Sequence, residues 1–273
     1  MITNLLIIAG AVVLSAALRS YHHPAPHRLG MLLLFFGVPF LIGWLFFENV
    51  WTGLALASLW LLLPWIEILT RARRLRLPEE RPLEACNPPN SEQFPDLRDL
   101  SEEIESAGFE EVEDVRWEHE GQRQFYRLFL QPQSGTEASI CLIEQDQISF
   151  YYIAVTSRAR GGSTYLTWNY PFSYGLRPPP TLHLHRAPSE TPFQALLADH
   201  RLFLDRERVG LDAIEPTSPE KIRERMQADL RAQIRHNLDK GVLKKDRAGM
   251  IRYSARGLLF LWCQFLRDLV RFS

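Results

Sequence analysis

Three long apolar runs in the first seventy residues constrain this 273-residue chain more than any other feature. They extend over residues 2–18, 29–47 and 50–69. A helix crosses the hydrocarbon core of a bilayer with about 20 apolar residues, and about 17 is the lower limit. The second and third runs meet this length, and the first lies at the limit. The sequence therefore predicts a transmembrane anchor of three helices within residues 1–70.

The first run also has the length of the apolar core of a cleaved signal peptide. A signal peptide begins with a positively charged segment, whereas residues 1–4 of this chain carry no basic side chain. We therefore interpret the run as the first span, with the signal peptide as the alternative.

The loops that flank the runs predict the orientation of the anchor. Residues 19–28 are basic, residues 48–49 are acidic, and four arginines follow the third run: Arg71, Arg73, Arg74 and Arg76. Short loops rich in Lys and Arg stay in the cytoplasm. Both basic segments lie there only if the N-terminus is outside and the bulk of the chain is cytoplasmic. We expect the four arginines to contact the anionic lipids of the cytoplasmic leaflet.

The central part of the chain predicts a cytosolic α+β domain at residues 96–210, after a basic and then Pro-rich linker at residues 71–95. A helix at 96–107 and a helix at about 190–208 enclose strands at 112–118, 124–131, 137–144, 147–157, 163–170 and 181–186. The first five strands are joined by short turns, which favours an antiparallel meander. We expect the flanking helices to cover one face of this sheet.

The last segment, residues 217–273, predicts a basic helix-hairpin-helix unit. Ser218 and Pro219 begin a helix that ends near Lys240, a hairpin follows at 242–254, and an amphipathic helix ends the chain. That last helix either packs on the domain or lies in the membrane interface. The preceding helix mixes acidic with basic side chains, so a recognition helix for nucleic acid is not evident and this partner is disfavoured.

The distribution of charge and cysteine adds two constraints. Residues 86–150 hold fifteen acidic and four basic side chains, a difference of −11, whereas residues 217–273 hold thirteen basic and six acidic, a difference of +7. These segments either attract one another, orient the protein against anionic lipid, or form ordinary solvated helix faces. The three cysteines have neither zinc-site nor disulfide spacing, which indicates a reducing compartment.

The strongest candidate for chemistry is a cluster of imidazole and carboxylate side chains. His183 and His185 alternate on a predicted strand and share a face, and Asp199 with His200 on the next helix completes a possible zinc or iron shell. Against this reading, His200 falls on the apolar stripe of its helix, which favours a role in the core. Arg158 and the glycine-containing turn after it are a weaker candidate, for an anion site.

Five aromatic residues on neighbouring predicted strands either line a groove for a ligand or peptide or pack across the strands: Tyr151, Tyr152, Tyr165, Trp168 and Tyr170. The leading hypothesis is a non-enzymatic membrane-anchored protein without a cofactor, whose cytosolic domain is a binding or scaffold module, as in an accessory subunit of a larger membrane complex. The alternatives are a membrane-bound metal-dependent enzyme that uses the His and Asp cluster, and a membrane-tethered nucleic-acid-binding regulator that uses residues 219–273.

Overall fold

The computed structural model describes residues 1–21, 23–145, 148–172 and 174–272 and has a mixed α+β architecture. The chain divides into two units. Met1–Leu75, Ser173–Gly175 and Arg252–Ser273 form a helical unit, and Arg76–Phe172 and Leu176–Ile251 form a sheet unit.

Four apolar helices begin the helical unit. Helix α1 is Ile2–Arg19, α2 is Pro24–Leu32, α3 is Val38–Phe47 and α4 is Val50–Glu67. A π-helical turn, Leu33–Gly37, joins α2 to α3, and a second one, Ile68–Ala72, follows α4.

The structure has two unbroken candidate spans among the described residues, whereas the sequence predicts three. Two helices of the described residues, Ile2–Arg19 and Ala25–Phe47, are long and apolar enough to cross a membrane. The third run passes that test only as a bent pair, because Val50–Leu59 and Pro64–Ala72 differ in direction by 47°. Pro64 has no N–H for the helix hydrogen bond, which is a physical reason for a break at this point.

Close backbone contacts and polar side chains hold the helices of this unit together. A Cβ atom on Gly43 of α3 would lie only 2.6 Å from the Cα of Gly53 on α4, so only glycine fits this crossing. The hydroxyl of Ser15 donates to the carbonyl of Gly30 at 2.7 Å, and the side-chain amide of Asn4 donates to the carbonyl of Leu45 at 2.7 Å. Small residues and interhelical hydrogen bonds are the usual means of helix association in lipid.

The main sheet of the sheet unit has seven strands in sequence order among the described residues. They are β1 (Glu84–Ala85), β2 (Glu110–His119), β3 (Gln122–Gln131), β4 (Thr136–Gln145), β5 (Ile148–Arg158), β6 (Thr164–Trp168) and β7 (Leu182–Arg186). Strands β2 to β6 form the antiparallel meander that the sequence predicts. The short β1 was not predicted, and β7 joins the edge of the sheet parallel to β6.

Helices cover both faces of the sheet, so the prediction of one covered face is wrong. Helices α5 (Leu97–Ser106) and α6 (Phe193–Arg206) cover one face, where Ile104 and Phe193 pack with Phe129 of β3. Helix α7 (Pro219–Asp239) covers the other, where Ile222 packs with Leu128. Neighbouring residues of β3 point to opposite faces, and each face has its own core.

The predicted helix-hairpin-helix unit at residues 217–273 is not confirmed. Its elements are present as α7, a two-stranded ladder of β8 (Leu243–Lys245) and β9 (Ile251–Tyr253), and helix α8 (Ala255–Phe272). However, α7 belongs to the sheet unit, whereas Arg252–Ser273 belongs to the helical unit. The apolar stripe of α7 is used to cover the sheet, which leaves no separate core for such a unit.

Candidate functional site

His200 is the centre of a buried polar network that ties α6 to the sheet. The side chain is 1% exposed. Its Nδ1 atom lies 2.9 Å from Oγ1 of Thr167 on β6, and its Nε2 atom lies 2.9 Å from Oγ of Ser157 on β5. Burial lowers the pKa of His200 from 6.5 to about 4. The neutral ring therefore uses both nitrogens in structural hydrogen bonds.

The other predicted metal ligands have different neighbours. His183 and His185 share a face of β7 as expected, but His183 stacks on Tyr165 at 4.7 Å and His185 stacks on Phe203 at 5.3 Å. Asp199 precedes His200 on α6, and its side chain points in a direction about 100° away around the helix axis. Within the described residues, no group of three or more His, Cys, Asp or Glu side chains is arranged to hold a metal ion. The metal-enzyme alternative stays a prediction that this geometry does not support.

Arg158, the predicted anion ligand, is instead part of an ion network between strands and helix. Its Nε atom lies 3.1 Å from Glu137 on β4, and its Nη1 atom lies 2.6 Å from Asp229 on α7. Burial raises the pKa of Glu137, and the positive charge of Arg158 opposes this rise. Arg223 on α7 similarly lies 3.5 Å from Glu113 on β2. The ion pair between Arg223 and Glu113 thus joins the basic segment 217–273 to the acidic segment 86–150 and helps to attach α7 to the sheet.

The structure separates the five aromatic residues that the sequence groups together. Tyr152, Trp168 and Tyr170 are in mutual contact, with ring centroids 5.0–5.7 Å apart. Tyr165 packs against His183 and Phe203, away from this group. Tyr151 points to the opposite face of β5, as alternation along a strand requires, and its ring lies 5.2 Å from that of Phe94.

Two phenylalanines that the sequence analysis missed extend this group towards solvent. Phe150 lies 5.8 Å from Tyr170 and 5.2 Å from Phe172, measured between ring centroids. We call these five residues the aromatic cluster: Phe150, Tyr152, Trp168, Tyr170 and Phe172. Its side chains range from Trp168, which is 7% exposed, to Phe172, which is 44% exposed.

Two exposed apolar side chains lie at the outer end of the aromatic cluster. Ile148, on the same face of β5 as Phe150, is 48% exposed, and Phe172, which contacts Phe150, is 44% exposed. We call Ile148 and Phe172 the aromatic patch. It lies at the end of the sheet where β5 begins. Exposed apolar side chains that are held together on a rigid scaffold are typical of a binding site.

The polar groups beside the aromatic cluster are not activated for chemistry. Burial raises the pKa of the Cys141 thiol to about 12 and raises the pKa of Tyr152 well above 10. Both groups therefore stay protonated at neutral pH, and Cys141 has no thiolate character. The cluster offers apolar ring faces, which suit recognition rather than nucleophilic chemistry.

The arginines predicted to contact lipid have two different environments. Arg71, Arg73 and Arg74 are exposed. Arg76 instead forms an ion pair inside the sheet unit, with its Nε atom 3.2 Å from Asp246. Lipid contact stays a prediction for all four.

Comparison with known proteins gives no relative from which a role can be transferred. No protein-family model matches the chain, and neither a curated protein nor a solved structure matches it. The aromatic patch and the candidate membrane helices therefore carry the functional argument.

Proposed function

We propose that this protein is a membrane-anchored binding protein whose sheet unit recognises another protein through the aromatic patch. It then acts as a scaffold or as an accessory subunit of a larger membrane complex. The observation that carries this proposal is the exposure of Ile148 and Phe172 beside Phe150 at one end of the sheet. Aromatic residues that are held rigidly and exposed in the free protein are frequent anchors of protein interfaces.

The architecture around the patch supports a binding role. The side chains that the sequence nominated for chemistry, His200 and Arg158, are engaged in networks that hold the sheet and its helices together. Both faces of the sheet are covered by helices of the same unit, so the partner meets the end of the sheet rather than a face. Phe172 is supported from behind by Phe150, which keeps the anchor in place before binding.

A comparison of two matched double variants tests this proposal. Ile148→Ser with Phe172→Ser removes the patch, and Leu202→Ser with Leu211→Ser removes two apolar side chains of the same unit that are 57% and 73% exposed. The full chain is purified from native membranes in mild detergent, and the proteins that co-elute in stoichiometric amount are quantified by mass spectrometry. We expect a defined partner with the wild type and the control, and at least about a tenfold loss with the patch variant, since each anchor contributes roughly 1 kcal/mol or more.

Two results contradict the binding proposal. One is a wild type that carries no stoichiometric partner. The other is a partner that the patch variant retains in full. A Tyr151→Ser variant changes the opposite face of β5 and leaves the contact between Phe150 and Phe172 intact, so it serves as a second control that should retain the partner.

We propose further that the helical unit crosses the membrane three times, with the N-terminus outside and the sheet unit in the cytoplasm. The two unbroken apolar helices support two crossings, and the basic residues at 19–28 and 71–76 support the orientation. A bend at Pro64 is compatible with a third crossing, because neighbouring helices tolerate proline kinks in membranes.

Reporter fusions distinguish three crossings from two. A reporter enzyme that is active only outside the cytoplasm is inserted after Asn49 in one chain and after Ser273 in another. Three crossings place the first reporter outside and the second inside. If both reporters are active, the bent segment of residues 50–72 does not cross and the third span is refuted.

A further inference from the structure

Helix α8 packs against the apolar helices of the helical unit. It contacts α2, α4 and the π-helical turn Ile68–Ala72. The rings of Trp262 on α8 and Trp65 on α4 are stacked, with centroids 6.1 Å apart. Yet α8 is not among the described helices that are long and apolar enough to cross a membrane. It therefore lies beside the candidate spans without having the composition of one.

The parts that α8 contacts all belong to the same side of the proposed topology. Trp65 is in the last turn of α4, the π-helical turn follows it, and α2 begins at Pro24, within the basic segment of residues 19–28. In the topology proposed above, each of these ends is cytoplasmic. The contacts thus place α8 at one boundary of the bilayer, and Trp is the residue most typical of that boundary.

The outer side of α8 carries apolar side chains between two arginines, a pattern that suits a membrane surface. Arg256, Leu259, Cys263 and Arg267 follow one another at helical spacing and are exposed, and we call them the α8 stripe. Leu259 at its centre is 50% exposed. The two arginines stand about 16 Å apart along the helix axis. On the inner side, Leu261 and Asp268 are buried.

We propose that α8 lies in the cytoplasmic headgroup layer of the membrane, with the α8 stripe in contact with anionic lipid. The apolar centre of the stripe then faces the boundary with the acyl chains, and the two arginines face the lipid phosphate groups. Each arginine near the surface contributes about 1 kcal/mol of binding free energy. The chain is then attached to the bilayer both before residue 76 and after residue 251. This inference rests on the proposed membrane topology.

Cys263, in the α8 stripe, provides a native labelling site for the test. The full chain with Cys86→Ser is labelled with a nitroxide, since Cys141 is buried and protected from the reagent. It is reconstituted into vesicles of phosphatidylcholine with and without phosphatidylglycerol. Collision rates of the nitroxide with oxygen, which concentrates in lipid, and with a water-soluble nickel chelate then report its depth.

Two engineered positions in a Cys86→Ser, Cys263→Ser background calibrate the depth scale. Val13→Cys lies on α1 and is 67% exposed there, and Lys244→Cys lies on the exposed surface of β8. We expect the ratio of oxygen to nickel collisions at Cys263 to exceed that at Lys244→Cys several-fold and to remain below that at Val13→Cys. We also expect the ratio at Cys263 to be larger in anionic than in neutral vesicles, and Arg256→Gln with Arg267→Gln to abolish this difference.

The possible outcomes separate this inference from the topology proposal. A ratio at Cys263 equal to that at Lys244→Cys means that the α8 stripe faces water and overturns the inference. Protection of Cys263 from both reagents means that protein covers the stripe, and this also overturns it. The same ratio in neutral and anionic vesicles removes the role of anionic lipid. If Val13→Cys itself reads as water, the membrane topology fails, and the inference fails with it.

Discussion

Acidification is expected to weaken the sheet unit through one buried side chain, His200. This residue is 1% exposed, and both ring nitrogens bond to hydroxyls, of Thr167 and of Ser157, at 2.9 Å. Its pKa is lowered to about 4, first because burial removes the imidazolium from water and then because His185 and Arg201 lie nearby. Protonation of His200 therefore costs free energy in the native state but not in the unfolded chain.

The sign and size of this effect follow from proton linkage. The unfolded chain binds the proton near pH 6.5 and the native chain only near pH 4, so the unfolded state binds more protons between these values. Stability is complete above about pH 6.5, falls as the pH decreases, and loses nothing further from this group below about pH 4. At roughly 1.4 kcal/mol for each tenfold difference in proton affinity, the loss amounts to about 3 kcal/mol.

The measurement compares the wild type with His200→Gln, which keeps an amide for hydrogen bonding but does not ionise. Hydrogen exchange of the β5 and β6 amides, corrected for intrinsic rates, gives the opening free energy at about pH 7 and about pH 4.5. Glu137 opposes the trend, because its raised pKa favours the native state as the pH falls, but it is present in both proteins. We expect the wild type to lose about 2–3 kcal/mol more than the variant. Equal losses in both proteins refute the reasoning.

Two further predictions concern packing and charge. In Gly43→Leu, the new Cβ meets the Gly53 backbone at 2.6 Å, so we expect a loss of at least about 1–3 kcal/mol in detergent melts followed by circular dichroism, whereas Gly10→Leu, with nothing within 4 Å, should melt like the wild type. Equal melting of both variants would show that α3 and α4 do not meet there. Arg158→Met leaves the buried carboxylate of Glu137 without its main partner and should cost about 3–5 kcal/mol in denaturant titrations, and the addition of Glu137→Gln should recover part of that loss. No recovery would contradict the assignment of the cost to a stranded charge.

The strands of the sheet were predictable because local pattern determines them. Alternating β-branched and aromatic residues between short turns set the limits of β2 to β6 within a few residues. The parallel addition of β7 requires the chain to return to the other end of the sheet after β6, and no local pattern predicts that return. The two-residue β1 lies within a Pro-rich segment and pairs only because β2 presents a free edge.

The assignment of α7 and α8 could not be predicted from the sequence, because amphipathicity gives the apolar face of a helix but not its partner. The stripe of α7 containing Ile222, Met226 and Leu230 fits a helical pair as well as it fits a sheet. Because this stripe covers the second face of the sheet, α7 does not pair with α8 in the predicted C-terminal unit. Trp262 gave no sign that its neighbour would be Trp65, nearly two hundred residues away.

The candidate site shows the same limit for individual side chains. His200 was a candidate metal ligand because of its imidazole, although its place on an apolar stripe already favoured the core. In the structure, Ser157 and Thr167 occupy both ring nitrogens, so the side chain has a structural role. Phe150 and Phe172 were missed for the converse reason, since an aromatic residue on or near a strand has the same pattern whether its neighbours cover it or not. Exposure is a property of the end of the sheet, where β5 begins and no helix of the described residues covers Phe172 fully. Recognition surfaces of this kind become visible only when residues that are distant in sequence are placed together.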